Sequence, residues 1–564
     1  MSARVRRRNS IADGLRWPPP DGQFALRNPK IAIVRGSLVA AIICAAIARS
    51  ACAASAPAAA RDPALVAADR LEQSATQRFG ALSAAERMTV RAAPQRQLKW
   101  LGPAAGQDNP ANDVAQAEKW GPERTVRAEI VRWLYADPQA YPLMDQSGLG
   151  IAGARISGEM DFSYLKIDKP ITIFECYIPD GIDASNSNLR SLDLRASRTG
   201  AVTADVATVG GDLELQFGRY ANLSIFRTRI SGSLDLSGAH VSGADTDSIS
   251  AQEARIGGDA EFDQGFATDG TVDFRLARIG QSLSFKDANF FGASVNGLDA
   301  GRAQISGPLY WDGIKHTQQT VLNLADTTAQ AIYDDRESWP AAGNLDVNGF
   351  VYNAIIGGPA TAAERLEWLA RQPVGYRPRP YRQLAQVLRE EGRDDGAVEV
   401  LIAQRVAQRR FGNLSAPERA WNLMLDATIG YGYDPLRALW WIGGFVILGT
   451  LLFDAGYRLR VITPTEPSAY QSFEQSGDTP RHYPPFNALV YSLENFLPVV
   501  DLHQGMFWRP NPRHPARARA AQSSAGSGTV TATLLRWYLW MHILAGWILT
   551  PLLFAGLSGL IRPD

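Results

Sequence analysis

One phrase returns six times between about Gly150 and Tyr352, and it limits what this chain can fold into. It reads Ala-Arg-Ile-Ser-Gly-Glu-Met-Asp-Phe at Ala154–Phe162, Val-Gly-Gly-Asp-Leu-Glu-Leu at Val209–Leu215 and Arg-Ile-Ser-Gly-Ser-Leu-Asp-Leu at Arg229–Leu236. It returns at Ala254–Phe262, Ala277–Phe285 and Ala303–Trp311. The anchor aliphatics Val209, Ile230, Ile256, Ile279 and Ile305 are separated by 21, 26, 23 and 26 residues, and Ile156 precedes Val209 by 53, close to two such periods. A period of this size is the mark of a solenoid, because one unit cannot bury its inward face alone and stacked units can. Within each copy the aliphatic–polar alternation of a strand is broken by a glycine corner. The expected fold is mainly β: a parallel β-helix of either hand over residues 146–356, one coil per period. Asp161 and Asp235, beside inward Phe and Leu, are expected to point outward into water. A β-sandwich is the competing reading, and sandwiches rarely repeat a phrase six times.

The remaining length asks for more than one domain, since the chain has 564 residues. Its 57 basic and 57 acidic residues cancel, which argues against a dedicated nucleic-acid binder. Lys30 and Arg35, the apolar Gly36–Ala48 behind them and the small-residue stretch Ala51-Cys52-Ala53 have the layout of a secretory signal within residues 1–53. The part ahead of it, with Arg6-Arg7-Arg8 and Pro18–Pro20, is long for such a signal, and a true start near Val34 would leave a compact one. Cys44 and Cys52 fall inside it, so Cys176 would be the one cysteine left, too few for a disulfide framework or a thiolate metal site. No metal and no cofactor is expected.

Residues 54–145 read as a helical cap over the first coil. Ser83 and Glu86 form a capping box, and a helix is expected over Glu123–Ala136 with Val126, Ile130 and Leu134 on one face. Residues 357–430 read as a linker with a helical hairpin, Tyr381–Glu391 and Asp394–Arg410, whose apolar seam is Leu384, Val387, Leu388, Ala397, Val400 and Leu401. It resembles a single tetratricopeptide unit. Residues 431–564 read as a two-span membrane module. Leu439–Phe453 is a marginal span and Trp537–Ile561 a full one, both with Trp or Tyr at their ends, and Ala555-x-x-x-Gly559 offers a small-residue contact. Between them Phe486–Leu502 is apolar but too short to cross with Glu494 and Pro498 inside, so it reads as a re-entrant or interfacial segment. A basic linker follows with Arg509, Arg513, Arg517 and Arg519.

Two stretches carry a resemblance. Trp120–Glu129 with Ala152–Gly158, and then Gly430–Ala438, Tyr491–Leu493, Phe496–Leu502, Gly546–Thr550 and Gly556–Gly559, resemble bacterial pentapeptide-repeat-like membrane proteins that often bear the label "membrane-associated oxidoreductase". Their membrane end is similar in layout to a two-helix ion-channel module with a pore loop. This chain lacks the Thr-x-Gly-Tyr-Gly filter of potassium channels, and Gly430-Tyr431-Gly432 precedes the first span, so no ion selectivity follows.

The oxidoreductase label calls for a cofactor site, and Gly148-Leu149-Gly150-Ile151-Ala152-Gly153 fits Gly-x-Gly-x-x-Gly. A dinucleotide site needs that motif between a strand and a helix. Here alternating strand sequence follows it, so it reads as a solenoid turn. None of the six histidines has metal-ligand spacing. His542 lies inside the second span, where it reads either as a gating or proton-responsive group or as a residue near the aromatic interface. Asp334-Asp335 and Asp245-x-Asp247 are the carboxylate pairs open to glycan acid–base chemistry, against plain solvation of solenoid turns. Glu494, Pro498, Asp501 and His542 are therefore the membrane and pore candidates.

These readings converge on a membrane-anchored β-helix protein acting as a scaffold, recognition module or channel-like protein. The alternatives are a membrane-associated oxidoreductase or a glycan-acting enzyme. The expected partners are membrane lipid and an envelope protein or glycan, with no nucleic acid, and a homo-oligomer stays open. The expected location is a bacterial inner membrane with the β-helix in the periplasm, which puts the Arg-rich linker in the cytoplasm. A normally oriented pore loop, and Arg405, Arg409 and Arg410 before the first span, favour the reverse.

Overall fold

The computed structural model of the protein describes residues 62–102, 110–243, 247–291, 297–511 and 527–558. The signal-like segment with Cys44 and Cys52, Asp245, Arg513, His514, Arg517, Arg519 and Gly559 lie outside these residues.

The repeat forms a parallel β-solenoid of about 9 turns. Its first face has 11 strands, from Lys99–Trp100 to Ala354–Ile356, and its second has seven, from Lys166–Ile167 to Gln304–Ile305. The third face gathers 15 strands, including Arg198–Thr203 and Arg219–Ser224. One coil crosses the second face at Asn188–Leu189, the first at Leu192–Asp193 and the third at Arg198–Thr203, and returns to the second at Thr208–Val209. Val209, Ile230, Ile256, Ile279 and Ile305 stack in register as the phrase requires. Ile156 does not join them. It stands on the third face beside Val126, and the column below Val209 continues through Leu189 and Ile167. The reason is that the corners of a coil are alike, so one phrase serves at more than one of them. In this coil Leu189, Leu194, Thr199, Ala204 and Val209 are all buried at five-residue steps, which makes four sides of five residues, with Arg198–Thr203 running along two of them.

The corners explain the repeated acids. Asp161 and Asp235 are half-buried and do not simply face water. Asp161 Oδ1 accepts from Ser163 N at 2.8 Å, and Asp235 Oδ1 accepts from Ser237 N at 2.8 Å. Asp183, Asp193, Asp273 and Asp346 repeat this bond two residues on. Each precedes by three a residue in the left-handed region: Tyr164, Asn186, Ala196, Leu276 and others. The short acceptor satisfies the amide that the turn takes off the ladder, which offsets the strain of a side chain at positive φ.

The cap comprises α1 (Pro63–Phe79), α2 (Ala84–Ala92) and α3 (Ala128–Ala136). Ser83 and Glu86 make the expected capping box. The helix expected from Glu123 starts only at Ala128, because Thr125–Arg127 is a strand that pairs with Arg155–Ser157 and seats Val126 on Ile156. Tertiary pairing overrides the local helical period there. The cap thus contributes ladder bonds as well as helices to the end of the solenoid.

Beyond the last coil come α4 (Ala362–Leu369), α5 (Pro378–Glu390) and α6 (Asp394–Phe411). The hairpin is present, and Leu384, Val387, Leu388, Ala397 and Val400 are buried in a core continuous with the solenoid, with Leu401 packed on it. Arg377 pairs with Asp346 at 2.7 Å and Arg379 with Asp326 at 2.6 Å, so the helices cover the solenoid's open end. Then follow α7 (Ala416–Ile429), α8 (Arg437–Arg458), α9 (Pro467–Ser476), α10 (Ala488–Phe496), α11 (Gln504–Phe507) and α12 (Ser527–Leu557). Both α8 and α12 are long and apolar enough to cross a membrane, and only 22% and 33% of their apolar windows are buried. A helix pair in the core of a soluble protein would be mostly buried.

Candidate functional site

The apolar segment expected over Phe486–Leu502 is helical only over Ala488–Phe496, and Leu497-Pro498 ends it. Asn487 caps its start, its side chain accepting from Leu489 N at 3.1 Å and Val490 N at 3.2 Å. This half-helix packs against both α8 and α12. Two glycines permit that. A Cβ on Gly546 would lie 1.7 Å from the Phe496 carbonyl oxygen, and one on Gly449 would lie 2.3 Å from Ser492 Oγ and 2.7 Å from His542 Cε1. No larger residue fits either place without separating the helices.

His542 sits at the meeting point of the three helices and is fully buried. Its Nε2 is 3.0 Å from the Ser492 carbonyl oxygen and 3.3 Å from Ser492 Oγ, and its Nδ1 is 3.4 Å from the Tyr538 hydroxyl. A carbonyl can only accept, so Nε2 carries the proton and donates to it. Ser492 Oγ donates to the Val446 carbonyl at 2.9 Å. The chain Val446–Ser492–His542 therefore ties all three helices together, inside a collar of Phe445, Phe453 and Phe496 rings.

The other three candidates lie elsewhere. Glu494 accepts from Gln504 N at 2.7 Å and Gly505 N at 3.1 Å. Asp501 is exposed and accepts from His503 N at 3.0 Å. Both carboxylates thus shape the turn at Asp501–Gly505, while Pro498 terminates α10. The structure brings Glu494 and Asp501 to one turn and gives His542 a separate set of partners. Those partners, Ser492 and Gly449, carry no signal in sequence beyond small size within apolar helices.

The carboxylate pair at Asp334-Asp335 is not arranged for acid–base work. Asp334 is locked in a buried ion pair with Arg365, at 2.5 Å, and Asp335 accepts from Ser338 N at 2.8 Å. Gly148–Gly153 runs into the strand Leu149–Ala152, so no helix N-terminus follows it. Among the described residues no group of three or more His, Cys, Asp or Glu could hold a metal ion. The Cys176 thiol is pushed up to about 12, chiefly by burial.

The solenoid faces carry what the sequence reading passed over. On the first face Asp193, Glu214, Asp235 and Glu261 stack strand upon strand. Arg195 spans the lower two, at 2.7 Å from Asp193 and 2.9 Å from Glu214. Burial, then the neighbouring Asp235, Asp259 and Asp263, pushes the Glu261 carboxyl above its ordinary value. A raised carboxyl pKa adds stability that is fully present below the unfolded-state value and is lost as pH rises through the folded one. Glu261→Gln is accordingly expected to stabilise the protein at pH 7 by roughly 0.2–1 kcal/mol, the size of one relieved like-charge contact. The gain should fade towards pH 4.5, as denaturant midpoints at the two pH values would show.

On the second face Arg229, Arg255 and Arg278 stand in register on successive strands, all exposed and with no ion pair among the described residues. Strands lie about 4.8 Å apart, so the three guanidinium groups repel one another unless an anion lies along them. The signal was in the phrase itself, where an Arg precedes each of the anchors Ile230, Ile256 and Ile279.

The chain matches no protein-family model, no curated protein and no solved structure.

Proposed function

We propose that this protein is a membrane-anchored recognition scaffold. In this reading α8 and α12 hold it in a bilayer, and the solenoid offers its charged faces to a partner in the cell envelope. The observation that carries it is the apolar belt on the two helices: Trp440, Leu451, Trp537, Trp547 and Phe554 are each more than 45% exposed. Apolar and aromatic side chains turned outward along both helices suit a lipid surrounding. The arginine row supports an anionic partner, such as an acidic glycan. The five-residue sides support kinship with the pentapeptide-like solenoids that the sequence resembles, in an inner membrane.

Alkaline carbonate extraction of membranes holding the full chain tests the anchor: retention in the pellet is expected, and release into the supernatant would end the reading. A periplasm-only reporter fused after Gly358 is expected to be active. Activity of a cytoplasm-only reporter at that site would reverse the orientation.

A channel-like role is the second reading, favoured by α10 wedged between two candidate spans and ending at Pro498. Purified protein in planar bilayers would then pass current, and silence under every voltage tried would leave the scaffold alone.

A further inference from the structure

The strands Ile462–Pro464 and Trp508–Pro510 form a small antiparallel ribbon where α8 ends and α12 begins. Trp508 is fully buried beneath it, against Tyr457, Phe473 and Phe486, and this pins the ribbon. Strand alternation then turns Arg509 outward. It lines a cavity of about 820 Å³ together with Arg536, Leu539, Trp540 and Ile543 of α12 and Asn495 of α10. Neither Arg509 nor Arg536 has a hydrogen-bond or ion-pair partner for its guanidinium among the described residues. Arg536 lies over the Trp540 ring, at 5.4 Å.

Arg536 is the single Asp, Glu, Lys or Arg between Val530 and Leu557. It stands six residues into that apolar run, about 9 Å along the helix. If α12 crosses a bilayer, that depth is just inside the hydrocarbon edge, from which an arginine side chain reaches back to the headgroup layer. A cation left there without a counter-charge is costly, and two of them face one cavity. The cavity wall formed by Leu539 and Ile543 is apolar, and α12 continues past it as exposed Leu544 and Trp547. A ligand that joins an anion to a hydrocarbon chain would satisfy both the arginines and this wall.

We propose that this cavity seats the phosphate of an anionic glycerophospholipid, held by Arg509 and Arg536, with its acyl chains lying along α12. Guanidinium groups suit this because their paired N–H groups match two phosphate oxygens. The proposal rests on the membrane-anchored reading and names the lipid that the anchor selects.

The test uses full-length protein in neutral detergent with three probes: phosphatidylglycerol, phosphatidylcholine and water-soluble glycerol phosphate. Saturable binding of phosphatidylglycerol at least tenfold tighter than of phosphatidylcholine is expected, with Arg509→Ala/Arg536→Ala reducing it at least tenfold. Equal binding of the two lipids by the unaltered protein would overturn the proposal, whatever the variant does. Unchanged phosphatidylglycerol binding by a folded double variant would overturn it too. Displacement of the lipid by equimolar glycerol phosphate would overturn the lipid source in favour of a free phosphate compound. Carbonate extraction separates the two claims. Protein retained in membranes but blind to headgroup charge defeats this inference alone, and protein released from membranes defeats the anchored reading.

Discussion

Arg365→Ala is expected to cost the full chain about 3–5 kcal/mol, the size of effect seen when one partner of a buried ion pair is removed. The guanidinium and the Asp334 carboxylate are 0% and 1% exposed. They meet through two parallel bonds, Nη1 to Oδ2 at 2.8 Å and Nη2 to Oδ1 at 2.5 Å. Trp339 Nε1 donates to the same carboxylate at 2.8 Å, and the Arg365 guanidinium also packs near the Trp339 and Trp368 rings. Alanine would leave a buried carboxylate with one neutral donor and a hollow between two indoles. Asp334→Leu/Arg365→Leu should cost less than Arg365→Ala, since it removes both charges and leaves only the Trp339 N–H without a partner. Urea titration followed by tryptophan fluorescence measures both, because Trp339 and Trp368 border the pair. A double variant as unstable as the single would show that the pair is not the link between α4 and the last coils.

Phe285→Ala should cost a similar amount, about 3–5 kcal/mol, through the cavity it leaves. Phe285 is fully buried in the column of inward residues on the first face. Its ring stacks on Phe262 with centroids 4.6 Å apart and meets Trp311 edge-on at 5.7 Å. It thus joins three successive coils. In a solenoid each coil rests only on its neighbours, so a hollow in the middle weakens two interfaces at once. Hydrogen exchange is expected to show coils around Arg278–Trp311 opening ahead of the cap end. Uniform loss of protection along the whole solenoid would mean that it melts as one unit and that the nearest-neighbour account is wrong.

These two sites show why legibility differed along the chain. Phe285 was visible, because it ends a phrase that returns every 21 to 26 residues. Arg365 was not, because its partner lies 31 residues away in a different kind of element. The Asp334-Asp335 doublet read as candidate chemistry for the same reason: a carboxylate looks alike in sequence whether it faces water or an arginine. His542 was flagged by its place in an apolar run. Its role as a tie was hidden, because Ser492 comes 50 residues earlier.

The sequence by itself determined the solenoid, the helical cap at its first end, the helical hairpin after its last coil and the two apolar helices. Each of these follows from a local period, two residues for strands, 3.6 for helices and one coil for the stack, and periods survive in one dimension. Tertiary structure alone decided which column Ile156 joins, that Val126 is extended rather than helical, and which acids face arginines. It alone brought Arg509 and Arg536 to one cavity. Pairing across coils and between distant helices depends on what lies opposite in space, and one-dimensional spacing does not carry that.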